Sequence, residues 1–299
     1  MTVSIIIVLA IVACVFITAD VISRKVIFPH LRTLQMSEDI VKDEDEWRDY
    51  DKKDTEELNF TLSDGYLIHG TMVWNDRSSK KFIIHTHGFR FTRYGGIKYL
   101  NTFFNSNYNV YLYDLRSHGE NERGPVGMGE TESKDLSDII KQFRAKFGDD
   151  ITLGLHGESL GAFTSLVTLK YEPKVDFVIE DCAYSDTIHE LKYQMSRQHM
   201  PSFMFNLVVW IARTKYKMHW EDYDAKDIIK DSELPIMFIH GDGDMFTPSW
   251  MASSLYNACN IKYNKKLLYF EGAKHANSEK SNPNKYIREV TAFIKTNGF

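Results

Sequence analysis

The stretch Gly157-Glu158-Ser159-Leu160-Gly161 lies between a predicted strand and a predicted helix. The preceding residues 151–156 are mostly apolar or β-branched, as in a buried strand, and residues 162–170 have the apolar spacing of a buried helix. A G-x-S-x-G pentapeptide in this context is typical of a nucleophile elbow, a sharp turn that holds serine in a strained backbone conformation. Small residues are needed two places on either side because strand and helix pass closely there. The stretch therefore predicts an α/β fold with Ser159 as a nucleophile.

Two later loops carry the groups that would activate this serine. Asp244 follows a predicted buried strand at residues 235–241, and His275 follows the next predicted strand at residues 265–270. Open α/β sheets place functional groups just beyond the carboxyl ends of their strands, so both side chains are expected near Ser159. Serine is a poor nucleophile until an imidazole takes its proton, and a carboxylate holds that imidazole in one tautomer.

Two other residues are candidates for the carboxylate that orients His275. Asp242 lies on the same predicted loop as Asp244, and Asp181 follows an earlier predicted strand. The His-Gly-x-x-Asp spacing that begins at His240 favours Asp244. We therefore predict a Ser-Asp-His triad with Asp244 as its acid.

A further predicted strand begins at residue 81 and ends in His87-Gly88-Phe89. The backbone amide of Phe89 is expected to join that of Leu160 in an oxyanion hole, which commonly contributes about 3 kcal/mol to stabilising the tetrahedral intermediate. Together these motifs resemble the α/β-hydrolase superfamily. Within it, the chain is similar to bacterial serine hydrolases of the prolyl-oligopeptidase-like and esterase branches.

This resemblance covers about residues 55–299. It also rests on an Asp-x-Arg-x-x-Gly element at Asp114, on the loop from His240 to Pro248 and on the late Gly-x-x-His at His275. The resemblance implies an α/β-hydrolase fold, with a mainly parallel sheet and helices on both of its faces. Strand-like runs that alternate with helical patterns along the chain predict the same architecture.

Residues from about 184 to 232 do not belong to the minimal sheet. They have helical patterning and many large apolar side chains, and Pro201 is placed to open a helix. In the family that the chain resembles, an insertion here commonly forms a helical lid over the nucleophile. Met204 and Trp210 are predicted to line an adaptable apolar pocket suited to an acyl chain or a hydrophobic ester. The alternative is that these side chains only bury the insertion against the core.

The N-terminus has no charged side chain up to Ala19, and its apolar run reaches the length that spans a bilayer. We predict a single-pass membrane anchor, a transmembrane helix, at residues 1–22. An acidic linker or helix is predicted at residues 23–54, and the hydrolase domain at residues 55–299. A cleaved signal peptide and a lipobox ending at Cys14 are alternatives, but the basic start of such signals is missing. A buried core helix is a further alternative, although the hydrolase fold is complete without it.

The orientation of the anchor follows from basic residues near it. None precedes the span, whereas Arg24, Lys25 and Arg32 follow it, so the hydrolase domain is expected on the cytoplasmic side of the cell membrane. Every motif lies beyond residue 80. Deletion of residues 1 to about 25 is therefore expected to leave a folded, active enzyme.

Composition narrows the function further. A net charge of −5 gives no reason to expect nucleic acid as a partner. No histidine pair has zinc spacing, so neither a metal nor another cofactor is expected. His87 and His118 fall at the ends of neighbouring strands and are candidates for substrate contact, whereas His85 and His240 are predicted to be structural. Cys182 is not flanked by the glycines of a nucleophile elbow. It is therefore predicted to be a small half-buried residue and not a nucleophile.

These observations predict a serine hydrolase that cleaves carboxylic esters through a covalent acyl-enzyme. Its partners would be a small-molecule ester or acyl substrate and the lipid bilayer. The first alternative is a peptidase or another acyl hydrolase of the same fold, and a peptidase would need a pocket that anchors a peptide amine. The second is a non-catalytic membrane-anchored scaffold, although folding alone does not require serine, aspartate and histidine on three separate loops.

Overall fold

The computed structural model describes residues 2–260 and 264–299 of the chain. Its strands are β1 (Asp54–Glu57), β2 (Phe60–Thr61), β3 (Leu67–Ile68), β4 (Gly70–Trp74), β5 (Lys81–Thr86), β6 (Asn109–Tyr113), β7 (Thr152–Glu158), β8 (Phe177–Asp181), β9 (Ile236–Gly241) and β10 (Lys265–Phe270). Its α-helices are α1 (Thr2–Ile27), α2 (Leu34–Val41), α3 (Asp45–Tyr50), α4 (Leu100–Phe104), α5 (Glu130–Phe147), α6 (Leu160–Thr168), α7 (Thr187–Arg197), α8 (Ser202–Tyr216), α9 (Ala225–Ile229), α10 (Trp250–Ala258), α11 (Ser278–Ser281) and α12 (Pro283–Thr296). Short 3-10 helices lie at Arg93–Tyr99, Leu169–Tyr171 and Trp220–Asp222.

Within the described residues, eight strands form one large sheet in the order β1-β4-β6-β5-β7-β8-β9-β10. The strands from β6 to β10 in this order pair in parallel, while β4 runs antiparallel to both β1 and β6. The predicted α/β-hydrolase fold with a mainly parallel sheet is confirmed. Because these strands are parallel, the loops after β5, β7, β9 and β10 leave the sheet at the same edge.

Helices cover both faces of the large sheet. In β5, Phe82 and Ile84 pack into a core that includes residues of α5 and α6. Ile83 points to the opposite face and packs with residues of α4 and α12. This alternation follows from the two-residue period of a strand, and the helices on both sides explain why β5 is buried almost throughout.

The N-terminal edge of the sheet is an antiparallel hairpin. The sequences of residues 58–62 and 66–74, on either side of a turn that ends at Gly65, predict such a pair, and the structure confirms it, with Gly65 at φ 86°. β2 pairs with β3 and β1 pairs with β4 in one continuous register, and the backbone N–H of Leu58 donates to the carbonyl of Gly70 between them. The edge strand that pairs with β4 is β1. Its sequence, Asp-Thr-Glu-Glu, is exposed and has no apolar alternation, a composition that protects an edge from pairing with other chains. Arg77 forms ion pairs with two of its acidic side chains.

The predicted acidic linker is folded against the rest of the chain. Trp47 of α3 packs edge-on against Tyr94, with 5.0 Å between the ring centroids, and Ser37 of α2 is fully buried. Lys280 forms an ion pair with Glu44 just before α3. The few apolar side chains among many acids therefore form a packed face.

α1 is the one helix of the described residues that is long and apolar enough to cross a membrane, judged by length and composition. Met1, where the predicted anchor begins, lies outside the described residues. The helix continues beyond residue 22 to Ile27, which is buried in the main core. Ala19 and Ser23 are also fully buried. Removal of residues 1 to about 25 would therefore remove packed side chains. This contradicts the expectation that the deletion leaves the enzyme unaffected.

The segment predicted as an insertion contains α7, α8 and α9. α8 begins directly after Pro201, as its sequence predicted. α9 contacts α6 and α10 and belongs to the helical layer of the sheet, whereas α8 packs against α1. We refer to α7 and α8 as the insertion helices.

Candidate active site

Ser159 lies at the turn between β7 and α6, with φ 54° and ψ −115°. A non-glycine residue at positive φ is strained, and such strain persists only where the surrounding structure enforces it. Here the backbone N–H of Ser159 donates to the carbonyl of Asp181 at 2.8 Å, which ties the turn to the end of β8. The serine side chain is thus presented at the edge of the sheet where the loops meet.

The two glycines of the pentapeptide are explained by backbone contacts. A Cβ on Gly157 would lie 2.2 Å from the carbonyl oxygen of Gly161, and a Cβ on Gly161 would lie 2.0 Å from the carbonyl oxygen of Thr86. Both distances are far inside van der Waals contact, and neither neighbour is a flexible side chain that can move away. The helix passes so close to the strands that only glycine fits.

Gly161→Ala is expected to lower the free energy of unfolding by about 1–3 kcal/mol, as overpacking typically does. It should also reduce turnover, because relief of the clash must move the turn that carries Ser159. Gly124→Ala is the control, since its Cβ would meet only the Ser117 hydroxyl at 3.4 Å. Urea unfolding and ester hydrolysis measure both effects. Equal stability of the two variants would contradict the packing argument.

His275 connects Ser159 with Asp244. Its Nε2 lies 2.8 Å from Ser159 Oγ, and its Nδ1 lies 2.7 Å from Asp244 Oδ2. The three side chains come from the loops after β7, β10 and β9. The structure thus brings the three predicted residues into one hydrogen-bonded line, with an imidazole nitrogen facing the serine hydroxyl.

Asp244 is held so that one oxygen faces His275. Its Oδ1 accepts hydrogen bonds from the backbone N–H groups of Phe246 at 2.8 Å and Thr247 at 2.9 Å. His240 Nε2 lies 3.3 Å from the Oδ2 that faces His275. His240 was predicted to be structural, and its position beside the acid was not anticipated, although it belongs to the His-Gly-x-x-Asp motif.

Electrostatics favour an ionised Asp244 and a basic His275. Burial alone would raise the pKa of the Asp244 carboxyl, but its hydrogen bonds with His240 and His275 outweigh burial and hold that pKa below its usual range. Burial alone would lower the pKa of His275. The hydrogen bond and charge of Asp244, with the charges of Glu158 and Glu190, instead raise it above the ordinary 6.5. His275 is therefore a stronger base than a free imidazole.

Neither alternative acid is hydrogen-bonded to His275 within the described residues. Asp181 Oδ1 accepts a hydrogen bond from the Ser278 hydroxyl at 2.9 Å, and burial raises the pKa of Asp181 to about 6. Asp242 is exposed, and its Oδ1 accepts the backbone N–H of Gly272 at 2.6 Å. That bond fixes the start of the loop that leads to His275.

Phe89 and Leu160 line the same cavity as Ser159. In the described part of the chain, neither backbone N–H donates to a protein acceptor, so both can serve a substrate oxygen. Leu160 is the first residue of α6, where amides have no intrahelical acceptor and the helix dipole favours negative charge.

An ion pair behind the turn was not predicted. Lys98 Nζ lies 2.5 Å from Glu158 Oε2 and donates to the carbonyl of Ala276 at 2.8 Å. Glu158 immediately precedes Ser159, and Ala276 immediately follows His275, so one lysine ties the two loops together. Lys98 lies in a 3-10 helix and belongs to no motif, which is why the sequence carried no signal for it.

The two histidines considered for substrate contact are buried away from the cavity. The rings of His87 and His118 lie 5.1 Å apart, and within the described residues neither lines a cavity with Ser159. Burial lowers their pKa values to about 4 and about 3. Both therefore serve the fold as neutral groups. His85 is likewise buried, with its Nδ1 2.7 Å from that of His156.

Cys182, Asp244 and His275 offer potential metal-ligand atoms within 4.8 Å of one another. Asp244 and His275 already share a hydrogen bond through these atoms. Burial raises the pKa of the Cys182 thiol, which disfavours the thiolate that a metal would bind. The donor set fits the hydrogen-bonded line better than it fits a metal ion.

A cavity of about 290 Å³ opens beside Ser159. Its walls are mostly apolar and come from α1, the insertion helices and neighbouring loops, and they include Ile22, Val26, Met128, Leu191, Met195 and Val208. The structure does not bring the predicted pocket residues Met204 and Trp210 to these walls. Met204 is buried with Ala19 between α8 and α1, and Trp210 is 55% exposed.

The chain is similar to known proteins in sequence and in fold. The profile of the prolyl oligopeptidase family matches residues 114–298. Uncharacterized protein YqkD of Bacillus subtilis is 26% identical over 295 residues, which cover 95% of this chain and 94% of that protein.

Two solved structures of esterases show the same fold. The Pyrococcus furiosus esterase Pf2001 has a TM-score of 0.68 at 18% identity, covering 83% of this chain and 94% of that chain. The esterase of Exiguobacterium antarcticum has a TM-score of 0.59 at 17% identity, covering 80% of this chain and all of that chain. The family match spans more than half of the present sequence and contains the loops that bear Ser159, Asp244 and His275. The protein is thus an α/β-fold hydrolase that belongs to the prolyl oligopeptidase family.

Proposed function

We propose that this protein is a serine hydrolase that cleaves carboxylic esters through a covalent acyl-enzyme. The observation that carries the proposal is the hydrogen-bonded line from Asp244 through His275 to Ser159, with 2.7 Å and 2.8 Å between the bonded atoms. A base within hydrogen-bond distance of the proton that it removes is the first geometric requirement of such catalysis.

In the proposed reaction, Ser159 Oγ attacks the acyl carbonyl carbon while His275 Nε2 takes the serine proton. The amides of Phe89 and Leu160 donate to the oxyanion that forms. The alcohol then leaves with the proton from His275, and the acyl group stays on Ser159. Water attacks this acyl-enzyme with His275 again as base, which releases the acid and restores the serine. Asp244 stays ionised throughout and supports the imidazolium.

The apolar cavity supports an ester with a hydrophobic acyl group. Leu191, Met195 and Val208 contribute apolar walls, and a methionine adapts to chains of different shape.

One observation favours the second candidate, a peptidase that binds a free amine: Glu190 lines the cavity, and its buried Oε2 has no partner within the described residues. Burial raises the pKa of Glu190 to about 7, so this carboxyl is only partly charged at neutral pH and attracts an ammonium group weakly.

Nitrophenyl esters from acetyl to decanoyl, assayed beside aminoacyl anilides, test this proposal. Each added CH₂ is expected to raise kcat/KM about fourfold until the cavity is filled, since burying one CH₂ contributes about 0.8 kcal/mol. Val208→Ala should change the preferred chain length, whereas Leu207→Ala should not, because Leu207 is no part of the described cavity wall. Faster cleavage of anilides than of esters, abolished by Glu190→Gln, would instead favour the peptidase.

Activity is expected to fall as the pH drops through the pKa of His275, which lies above 6.5. Activity falls at low pH because only neutral imidazole can accept the serine proton, and the protonated form is inactive. Asp244, Glu158 and Glu190 face His275 and raise its pKa, and Glu190 itself titrates near 7. The pH dependence of kcat/KM should therefore persist in Glu190→Gln with a lower midpoint. A rate that stays flat from about pH 5 to about pH 9 would exclude His275 as the base.

A further inference from the structure

α1 is docked onto the insertion helix α8 by polar as well as apolar contacts. The Ser23 hydroxyl donates to the carbonyl of Val208 at 3.1 Å. Lys215 forms an ion pair with Asp20 at 2.8 Å, and the Tyr216 hydroxyl donates to the same carboxylate at 2.8 Å. The carboxyl-terminal half of α1 is therefore a fixed part of the hydrolase and not a free tether.

The same end of α1 forms part of the cavity beside Ser159. Ile22 and Val26 contribute to its wall, on the same cavity as Met195 and Val208 of the insertion helices. The backbone N–H of Val126 donates to the carbonyl of Ile27 at 2.7 Å, which fixes the last turn of α1 in place.

The exposed apolar part of α1 lies directly next to this cavity. Side chains from Val3 to Ile17 are largely exposed, as expected of a helix surrounded by lipid. Ile22 follows Ile17 by about 8 Å along the axis, at roughly 1.5 Å per residue. The part of α1 that lines the cavity therefore begins within about two helical turns of the apolar span.

α8 contributes apolar surface at the same level. Phe203 and Trp210 are 58% and 55% exposed, and the Trp210 ring contacts that of Phe16, with 6.3 Å between centroids. Exposed tryptophan beside an apolar span is typical of the membrane interface. The outer surface that α1 and α8 form next to the cavity is thus apolar on both helices.

Basic side chains lie where the cavity meets the surface. Lys25 and Arg90 are exposed parts of its lining, and Arg32 joins Arg90 in an adjoining hollow that also reaches Ser159 and His275. Among the described residues, none of these three cations forms an ion pair with an acidic side chain. They are therefore available to an anionic group outside the chain.

We propose that the Ser159 cavity takes amphiphilic lipid esters with an anionic headgroup, which enter from the bilayer alongside the carboxyl-terminal end of α1. The acyl chain would lie against Ile22, Val26 and Val208, and the phosphate or carboxylate of the headgroup would bind Lys25, Arg32 and Arg90. A cytoplasmic leaflet rich in anionic lipid supplies such substrates next to a positively charged helix end. The inference rests on the proposed ester hydrolase and adds its substrate class and the route that the substrate takes.

The test uses the full chain reconstituted in vesicles and measures release of fatty acid from monoacyl phosphatidylglycerol and from monoacyl phosphatidylcholine. The wild type is expected to prefer the anionic lipid. Lys25→Gln with Arg90→Gln should reduce this preference, expressed as the ratio of the two kcat/KM values, by about fivefold for each charge removed. A general structural defect would lower both rates and leave the ratio unchanged. Lys295→Gln, an exposed lysine on α12, is the matched control and should not alter the ratio.

An unchanged ratio in the double variant would overturn the headgroup assignment. Inorganic phosphate distinguishes a free anion from a lipid: competition by phosphate at low concentration against a soluble butyrate ester would assign the three cations to a free anion and refute lipid binding. Cleavage of the butyrate ester by the wild type without any lipid hydrolysis refutes this inference alone. Failure to cleave the butyrate ester as well refutes the proposed hydrolase.

Discussion

Ser159→Ala is expected to lower kcat for ester hydrolysis by roughly 10⁶-fold, as loss of a triad serine does in serine hydrolases. The reason is that the acyl-enzyme cannot form without Oγ, so only direct attack by water on a bound ester remains. Initial rates on a nitrophenyl ester measure the loss. The fold should remain intact, because the strained turn is held by backbone contacts of Gly157 and Gly161 and not by the hydroxyl.

Ser165→Ala is the matched control. Ser165 lies on α6, the helix that follows Ser159, and its buried hydroxyl donates to the carbonyl of Gly161 at 2.9 Å. Loss of that bond is expected to lower the free energy of unfolding by about 1 kcal/mol and to leave the rate near that of the wild type. A folded Ser159→Ala protein with wild-type turnover would refute the assignment of the nucleophile.

Asp244→Asn is expected to lower kcat by about 10⁴-fold. Asp244 Oδ2 accepts the proton on His275 Nδ1, which leaves Nε2 free to accept the proton of Ser159. An asparagine amide that donates to Nδ1 would place the imidazole proton on Nε2, where it blocks this step. The same ester assay, with circular dichroism to confirm folding, measures the effect.

Asp242→Asn and Asp181→Asn are the controls for this substitution. Asp242 is exposed, and an asparagine oxygen at this position can still accept the backbone N–H of Gly272, so this change is expected to alter the rate by no more than about twofold. Asp181 is buried among Ser278 and other partners, so its replacement should affect stability more than turnover. Full activity of Asp244→Asn together with an inactive Asp181→Asn would place the acid on the earlier strand.

The sequence was sufficient for the central sheet and for the triad geometry because both depend on local patterns. β5, β6 and β10 each contain a short apolar run that follows one or two polar residues. The glycines at 157 and 161 are dictated by backbone contacts that no other residue could make. Asp244 and His275 follow strands directly, so predicting the strands also located the loops.

The features that were missed depend on contacts between distant segments. β1 extends the predicted hairpin through acidic residues without apolar alternation, and two of these residues form ion pairs with Arg77, which lies over twenty positions later in the chain. The role of Lys98 depends on its contacts with Glu158 and Ala276, which are distant in sequence and meet it only in the folded chain. Met204 and Trp210 were chosen by composition, but helix rotation decides which side of α8 faces the cavity. Val208 is the residue of that helix that lines it.

The docking of α1 against the hydrolase domain is the largest difference between the predicted and the observed organisation of the chain. Its sequence has the length and hydropathy of a free anchor, and these properties carry no information about packing at one end. Ser23 and Ile27 are fully buried because α8 and the loop at Val126 meet them. A helix assigned to the membrane by composition is therefore also part of the wall beside Ser159.

The central claim is that Ser159 is the activated nucleophile of this protein. Reaction with a fluorophosphonate, followed by peptide mass spectrometry, tests it most directly, because the reagent forms a stable bond only with a serine whose proton is removed by a neighbouring base. The account predicts one adduct per chain, on the peptide that contains Ser159, formed at a rate that falls sharply in His275→Ala. An active protein that carries no adduct, or carries it on another residue, would contradict the account.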